Sequence, residues 1–316
     1  MAKAIVTFLL IAFCLVTPAV ADAFPEKGDT ASAVERRLST GDGARTYLVQ
    51  PVGGGGRHPV VVLLHGGTQN AGRVWRQTSL PTLGRTAGFI VVAPDGLGGH
   101  WNDGRGSTIA ADGPSSADDL RFIDAVIADV IARDGGDPKA VFMAGVSNGG
   151  FMTMHFVCAG RYPLRAAANL ISDLPAIRRV TCAPRQATPW LSLNGTDDPI
   201  VPFAGQPAGI RRHGMPQPEL LSADQTFEFF AAKAGCTAEA EIRRLPDRDP
   251  RDGSWIEERR RPCRGGGHSV QYVVHGAGHI PPGLRAGPII ARVVGGANQD
   301  ADTGTLLWSF FKSQLR

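Results

Sequence analysis

The chain has 316 residues, of which 43% are hydrophobic and 20% are charged, and its formal net charge is +4. This is an ordinary globular composition, which argues against disorder and allows a sizeable core. The arginines are scattered apart from Arg259-Arg260-Arg261, so the small positive charge predicts no nucleic-acid partner.

The first residues have the pattern of a secretory signal peptide. Lys3 precedes a short apolar run, and the run ends in the small-x-small sequence Ala19-Val20-Ala21. The run is shorter than the roughly 20 residues that span a bilayer, so we expect no stable membrane anchor after cleavage. We predict a signal peptide over residues 1–21, with cleavage after Ala23 as the alternative, and a secreted or periplasmic protein.

Apolar runs and amphipathic segments alternate along the rest of the chain. Runs at 59–64, 89–93 and 139–144 lack polar alternation, as in strands that are buried on both faces. An amphipathic helix is predicted to begin at Ser116, between the second and third of these runs. Further strands are predicted at 45–49, 164–171, 189–193 and 270–274, and further helices at 151–158, 223–234 and 303–315.

This alternation predicts an α/β protein with a mostly parallel, doubly wound sheet. No internal repeat and no long linker divides the chain, so we predict one catalytic domain over residues 24–316. In such sheets, functional residues follow the carboxyl ends of the strands.

Residues 144–150 read AGVSNGG and contain a serine in a G-x-S-x-G pattern. The pattern follows a predicted strand and precedes an apolar helix, which is the context in which it holds a nucleophile on a sharp bend. Gly145 and Gly149 remove side-chain clashes around that bend, and the helix N-terminus favours developing negative charge. Ser147 is therefore the candidate nucleophile, and the alternative interpretation is a plain turn.

An acid and a histidine follow later predicted strands, in the chain order that α/β-hydrolases use. Asp197 and Asp198 come after the same strand, and either could orient a histidine. His275 and His279 both follow the last predicted strand. We favour His279 as the base because the small residues before it would let it reach over the sheet edge.

Backbone N–H groups are the candidates for an oxyanion hole. The glycines after the strand at 59–64 let a backbone amide approach a carbonyl oxygen closely. The N–H of Gly67, or that of Thr68 next to it, would pair with the N–H of Asn148.

Four cysteines remain after the predicted signal peptide, and an even number in an exported protein favours disulfides. They allow three pairings, of which we favour the two between sequence neighbours, Cys158–Cys182 and Cys236–Cys263. The chain has no C-x-x-C pair or close Cys/His spacing, so zinc is not expected.

At these positions the chain resembles the secreted polyhydroxybutyrate depolymerase and feruloyl esterase family of α/β-hydrolases, from about Tyr47 to Phe311. The resemblance rests on six short segments: LHGGTQ at 64–69, WNDGR at 101–105, DD at 118–119, GVSNGG at 145–150, NGTDDPIVPF at 194–203 and GAGHIPPG at 276–283. It implies the α/β-hydrolase fold, with the nucleophile on Ser147, the orienting acid on Asp198 and the base on His279. The two disulfides between sequence neighbours are compatible with the family pattern.

The resemblance implies a carboxylic-ester hydrolase that works through an acyl-enzyme and needs no metal or organic cofactor. Because the chain ends soon after its last predicted helix, we expect a small or oligomeric ester as the substrate. The alternatives are a serine peptidase on the same fold, which would use the same three residues, and a non-catalytic binding protein with a hydrolase fold.

Overall fold

The structure is a computed structural model that describes residues 24–105, 116–212 and 215–315. The predicted signal peptide, residues 1–21, lies outside the described residues. Within these ranges, no helix is both long enough and apolar enough to cross a bilayer.

Strands and helices alternate through the middle of the described chain, between residues 58 and 195, and strands follow one another directly near both ends. The strands are β1 (Val34–Thr40), β2 (Gly43–Gln50), β3 (His58–Leu64), β4 (Ile90–Pro94), β5 (Gly136–Val146), β6 (Ala166–Leu170), β7 (Trp190–Gly195), β8 (Arg211–Arg212), β9 (Met215–Pro216), β10 (Glu241–Arg244), β11 (Trp255–Pro262) and β12 (His268–His275). The α-helices are α1 (Ala71–Gln77), α2 (Leu80–Ala87), α3 (Asp119–Asp134), α4 (Asn148–Cys158), α5 (Arg178–Thr181), α6 (Ala223–Lys233), α7 (Pro288–Val294) and α8 (Thr303–Ser313).

Ten of these strands form one sheet, in the order β1-β2-β4-β3-β5-β6-β7-β12-β11-β10. The six central strands, from β4 to β12 in this order, pair in parallel, whereas the two strands at each edge pair antiparallel with their neighbours. The parallel arrangement brings the carboxyl ends of β3, β5, β6, β7 and β12 to one edge, where a doubly wound sheet builds its site. The predicted fold class, an α/β-hydrolase sheet of mostly parallel strands, is confirmed.

The hydrophobic core lies on both faces of this sheet, which explains the continuous apolar runs. Alternate residues of β3 enter different clusters: Val60 and Val62 pack on one face with α3, α4 and α6, while Val61 and Leu63 pack on the other with α1, α2 and α8. A strand that is covered on both sides needs apolar side chains at every position. Each buried side chain of this size contributes about 1.5–3 kcal/mol.

Two features of the fold differ from the sequence-based expectations. Helix α3 begins at Asp119 rather than at Ser116, because the Asp118 side chain accepts the N–H of Arg121 and caps the helix there. The charged segment 244–261, for which the sequence predicted no strand, contains all of β11 except Pro262 and so belongs to the sheet.

The structure contains two disulfides, and both join sequence neighbours. Cys158, the last residue of α4, is bonded to Cys182, and Cys236 after α6 is bonded to Cys263 after β11. The first bond ties the end of α4, the helix that follows Ser147, to the segment after α5.

Candidate active site

Ser147 lies on a sharp bend between β5 and α4. Its backbone angles are φ 51° and ψ −115°, a region that a residue with a side chain rarely adopts. Its N–H donates to the carbonyl of Leu170 on β6 at 2.9 Å, and its carbonyl accepts the N–H of Phe151 in the first turn of α4. The bend is therefore held from the sheet on one side and from the helix on the other.

The glycines of the motif allow this bend because the chain passes very close to itself. A Cβ on Gly145 would lie 2.0 Å from the carbonyl oxygen of Gly149. A Cβ on Gly149 would lie 2.4 Å from the carbonyl oxygen of Leu64 on β3. Both distances are far below any real carbon–oxygen contact, so the sequence pattern follows from the packing of β5, α4 and β3.

Two short hydrogen bonds join Ser147 to His279 and Asp198. The His279 imidazole lies with Nε2 at 2.9 Å from the Ser147 hydroxyl oxygen and Nδ1 at 2.7 Å from Asp198 Oδ2. The Asp198 carboxylate accepts a hydrogen bond from Nδ1–H, which leaves the unprotonated Nε2 free to accept the serine proton. Ser147, Asp198 and His279 follow the carboxyl ends of β5, β7 and β12 respectively, so the order of the parallel strands brings them together.

Backbone amides fix the carboxylate of Asp198 in place. Its Oδ1 accepts the N–H groups of Ile200 and Val201 at 2.7 and 2.8 Å, and only 6% of the residue is exposed. The alternative acid, Asp197, is exposed and accepts the hydroxyl of Thr196 instead.

The alternative base, His275, lies away from Ser147. Its ring stacks on Trp255 with 3.8 Å between the ring centroids, and its Nε2 is 3.5 Å from Glu257. His279 is four residues further along the chain, beyond a turn in which the N–H of Gly278 donates to the carbonyl of Gly296. This turn carries His279 over the sheet edge.

The loop after β3 and the first residue of α4 face each other beside Ser147. Asn148 is the first residue of α4, so the helix itself does not use its N–H. A Cβ on Gly67 would lie 3.7 Å from the Cβ of Asn148 and 3.3 Å from His100 Nδ1. Thr68 follows with φ 59°, an unusual conformation for threonine. The two predicted oxyanion donors, Gly67 and Asn148, are thus neighbours in space.

A buried histidine holds this loop in position. His65 is 0% exposed, its Nδ1 is 2.8 Å from the carbonyl oxygen of Gly66, and its Nε2 accepts the N–H of Gly96 at 2.9 Å. Burial lowers the pKa of the His65 imidazole, so the ring stays neutral, with the proton on Nδ1. His65 therefore braces the loop and lies outside the proton-transfer path.

The Asn148 side chain anchors the WNDGR segment. Its Oδ1 accepts the N–H of Trp101 at 2.8 Å, and its Nδ2 donates to Asp103 at 2.5 Å. Asp103 forms an ion pair with Arg105, whose guanidinium lies over the ring of Phe151. Trp101 is 3% exposed and donates through Nε1 to the carbonyl of His65, so it belongs to the core beneath the site.

A second buried carboxyl group, Asp173, lies near Asp198. It is 0% exposed, one oxygen is 3.2 Å from Asn194 Nδ2, and the other has no hydrogen-bond partner. Burial, reinforced by the nearby charge of Asp198, raises the pKa of Asp173 well above its usual range. Burial therefore favours the protonated form of Asp173 over a wider pH range than in an exposed aspartate, and no sequence motif pointed to this residue.

A cleft of about 620 Å³ opens above Ser147. His100, to which the sequence assigned no role, lies in its wall against Gly67. The only available signal was the position of His100 directly before the WNDGR segment. The cleft is lined by these further residues: Gln69, Arg73, Gln77, Phe151, Ile171, Ile200, Val201, Gln206, Gln217, Leu220, Ile280, Pro281, Leu284, Arg285, Ile290 and Val294.

In the part of the chain that the structure describes, no group of three or more His, Cys, Asp or Glu side chains could hold a metal ion.

Comparison with known proteins points to esterases. Residues 45–174 match the family described as "Esterase PHB depolymerase". A protein of Nocardia uniformis subsp. tsuyamanensis named "Putative esterase NocK" is 26% identical over 249 residues, which cover 78% of this chain and 71% of that protein. Feruloyl esterase B of Piromyces equi is 26% identical over 245 residues, covering 76% of this chain but only 40% of that protein.

Among solved structures, the acetyl xylan esterase from Aspergillus awamori has a similar fold. It aligns with a TM-score of 0.57 at 14% identity, over 89% of this chain and 99% of the other. The described chain also has the strand–bend–helix connection that holds the nucleophile in α/β-hydrolases. The protein is therefore a carboxylic-ester hydrolase with the α/β-hydrolase fold, and it resembles the esterases of the polyhydroxybutyrate depolymerase and feruloyl esterase family.

Proposed function

We propose that this enzyme hydrolyses esters through a covalent acyl-enzyme on Ser147, with His279 as the general base and Asp198 as the orienting acid. The observation that carries the proposal is the continuous hydrogen-bond chain from the Ser147 hydroxyl through the imidazole to a buried carboxylate. Each of the three groups has the partner that its role requires.

In the first half of the reaction, Ser147 Oγ attacks the ester carbonyl carbon while its proton moves to His279 Nε2. Asp198 stabilises the imidazolium that forms and keeps the ring in the productive orientation. The N–H groups of Asn148 and Gly67 bind the negative charge on the former carbonyl oxygen. The N–H of Thr68 is the alternative to that of Gly67. His279 then donates its proton to the leaving alkoxy oxygen, the carbon–oxygen bond breaks, and the alcohol departs.

In the second half, water attacks the acyl carbon and gives its proton to His279. The resulting oxyanion collapses, the bond to Ser147 Oγ breaks, and His279 returns the proton to the serine. The products are a carboxylic acid and the free enzyme, so no oxidant or cofactor enters the balance.

We also propose a small or oligomeric ester as substrate and export from the cytoplasm. The cleft of about 620 Å³ has room for a small or oligomeric ester, and its wall combines apolar side chains with the amide side chains of glutamines. Two disulfides support an oxidising compartment, in agreement with the signal-peptide pattern at the start of the chain.

The proposal is tested with p-nitrophenyl butyrate and, beside it, a peptide p-nitroanilide. We expect ester hydrolysis at a kcat/KM well above that for the amide, and a loss of about 10⁴-fold or more in kcat for Ser147→Ala and His279→Ala. His275→Ala is the matched control, because His275 lies four residues away but does not contact Ser147.

Faster cleavage of the anilide would favour the peptidase alternative. Equal losses for His275→Ala and His279→Ala would show that the imidazole at 279 is not the base. The absence of any hydrolysis in the wild-type protein would favour a binding protein that only uses the hydrolase fold.

A further inference from the structure

The wall of the cleft above Ser147 carries an excess of positive charge. Arg73, Arg105 and Arg285 line it, whereas no Asp or Glu does so within the described ranges 24–105, 116–212 and 215–315. Asp198 lies behind the imidazole, with only 2% of its side chain exposed. A ligand that enters the cleft therefore meets a positively charged surface, which raises the local concentration of anions.

Two of the three arginines have their charge available to a ligand. The Arg105 guanidinium is 8% exposed and already paired with Asp103. Arg73 and Arg285 are exposed, and among the described residues neither forms an ion pair with a carboxylate. Arg285 acts at longer range on Asp249, but that carboxylate is paired with Arg251.

The two available arginines belong to the two segments that build the reactive centre. Arg73 lies in α1, which follows the loop of Gly67, and Arg285 lies between His279 and α7. Apolar residues complete the wall near the latter: Ile280, Pro281, Leu284, Ile290 and Val294. A suitable substrate thus needs an apolar stretch and, beyond the reacting carbonyl, a group that a guanidinium can bind.

We propose that the preferred ester substrates carry a free carboxylate, which Arg73 and Arg285 bind at the mouth of the cleft. The inference rests on the proposed function, since it names the substrate class of the same Ser147 site. Guanidinium groups bind carboxylates through paired charge-assisted hydrogen bonds, and the planar fork selects this geometry. The same positive wall disfavours esters with a cationic group, such as butyrylcholine.

The test compares esters that differ only in this charge. The first pair is mono-p-nitrophenyl glutarate and its neutral methyl ester, which place the carboxylate on the acyl side. The second pair is the butyrate esters of 4-hydroxybenzoate and of methyl 4-hydroxybenzoate, which place it on the leaving group. Each kcat/KM is divided by the rate of alkaline hydrolysis of the same ester, so intrinsic reactivity cancels.

We expect the anion to be preferred by about tenfold in at least one pair at low ionic strength, and the preference to shrink in about 0.5 M salt. The double variant Arg73→Gln/Arg285→Gln should lower the anion-to-neutral ratio by about fivefold or more. Arg37→Gln is the control, because Arg37 is exposed on the edge strand β1 and does not line the cleft. It removes one positive charge away from the cleft, compared with two in the double variant, and should leave the ratio unchanged.

The outcomes separate the two proposals. If the wild-type enzyme hydrolyses none of the four esters, the proposed function fails. If it hydrolyses the neutral esters but prefers the anion in neither pair, or if the double variant keeps the wild-type ratio, the carboxylate inference is overturned while the ester hydrolase stands. A ratio that falls equally in Arg37→Gln would attribute the effect to net charge and also overturn it.

Discussion

At the scale of single residues, the site combines one strained group with two buried ionisable ones. The backbone of Ser147 costs of order 1–3 kcal/mol relative to a relaxed conformation, and it persists because β5, β6 and α4 hold it from both sides. Asp198 accepts two backbone N–H groups and contacts His279, whereas Asp173 has one side-chain amide partner and burial raises its pKa. The two carboxyl groups therefore differ in their hydrogen-bond partners, and Asp198 is the one that contacts His279.

The raised pKa of Asp173 predicts how stability depends on pH. Because the folded state holds this proton more tightly than the unfolded state, the contribution of Asp173 is greatest below the unfolded pKa of about 3.9 and is lost as pH rises toward the folded pKa. The substitution Asp173→Asn removes the titratable carboxyl group but keeps the shape of the side chain. Its free energy of unfolding should rise relative to wild type by about 1.4 kcal/mol per pH unit within that window.

Urea unfolding at a series of pH values from 4 to 8 measures this difference. Asp197→Asn serves as the control, because it makes the same chemical change at an exposed position. A constant difference between Asp173→Asn and wild type across the series would mean that the carboxyl group does not hold an extra proton in the folded state.

At the scale of elements, the site depends on how closely α4 packs on the sheet. The helix begins one residue after Ser147 and passes within contact distance of the backbone of β3 at Gly149. This close approach places the Asn148 amide opposite the loop of Gly67. The disulfide from Cys158 holds the other end of the same helix.

Gly149→Ala should therefore prevent the bend from forming in its present geometry. The added Cβ would lie 2.4 Å from the carbonyl oxygen of Leu64, which belongs to a buried strand and cannot move aside. We expect a loss of about 3 kcal/mol or more in the free energy of unfolding, with ester hydrolysis falling at least 100-fold. Denaturant unfolding and hydrolysis of p-nitrophenyl butyrate measure the two effects.

Gly55→Ala is the matched control, since a Cβ there would meet nothing within 4 Å and the position has no positive φ. It should leave both quantities within the error of the wild type. A Gly149→Ala variant with wild-type stability would show that α4 can move away from β3, contrary to the packing described above.

At the scale of the whole molecule, the order of the strands in the sheet brings the residues of the site together. Ser147 and His279 are 132 positions apart in the chain, yet the order β5-β6-β7-β12 places them at one edge. Two clusters of buried residues cover the two faces, so the sheet is held as a rigid platform. The disulfides add covalent links at the periphery of this platform.

Removing either disulfide should lower the stability of the whole molecule by a similar amount. The bonds close loops with sequence separations of 24 and 27, and chain entropy predicts a stabilisation of about 3 kcal/mol for each. The double substitutions Cys158→Ala/Cys182→Ala and Cys236→Ala/Cys263→Ala, compared with wild type by urea unfolding without reductant, measure it. A loss below about 1 kcal/mol in both would mean that neither bond constrains the unfolded chain.

The central strands and the bend could be predicted from the sequence because they depend on local pattern. The apolar run of β3 reflects burial on both faces, and the glycines around Ser147 reflect the close approach of α4. Strands β10 and β11 escaped prediction because their many charged residues interrupt the apolar pattern of a buried strand. Asp173 and His100 also escaped, since each acquires its role only from neighbours that are distant in the chain.

The choice between Asp197 and Asp198 shows the same limit within the site. Both follow β7, and the spacing alone leaves them equivalent. The structure separates them because the turn after β7 directs one carboxylate to His279 and the other to solvent. The family resemblance selected Asp198, but the physical reason, two N–H groups on its second oxygen, appears only in the folded chain.

The most direct test of the central claim is to trap the covalent intermediate and locate it. Wild-type enzyme treated with a fluorophosphonate should gain the mass of one adduct, and peptide mapping should place it on Ser147. The adduct should be absent from Ser147→Ala and should form far more slowly in His279→Ala, although the serine is still present. Full labelling of Ser147→Ala, or a wild-type adduct on any other residue, would contradict the account.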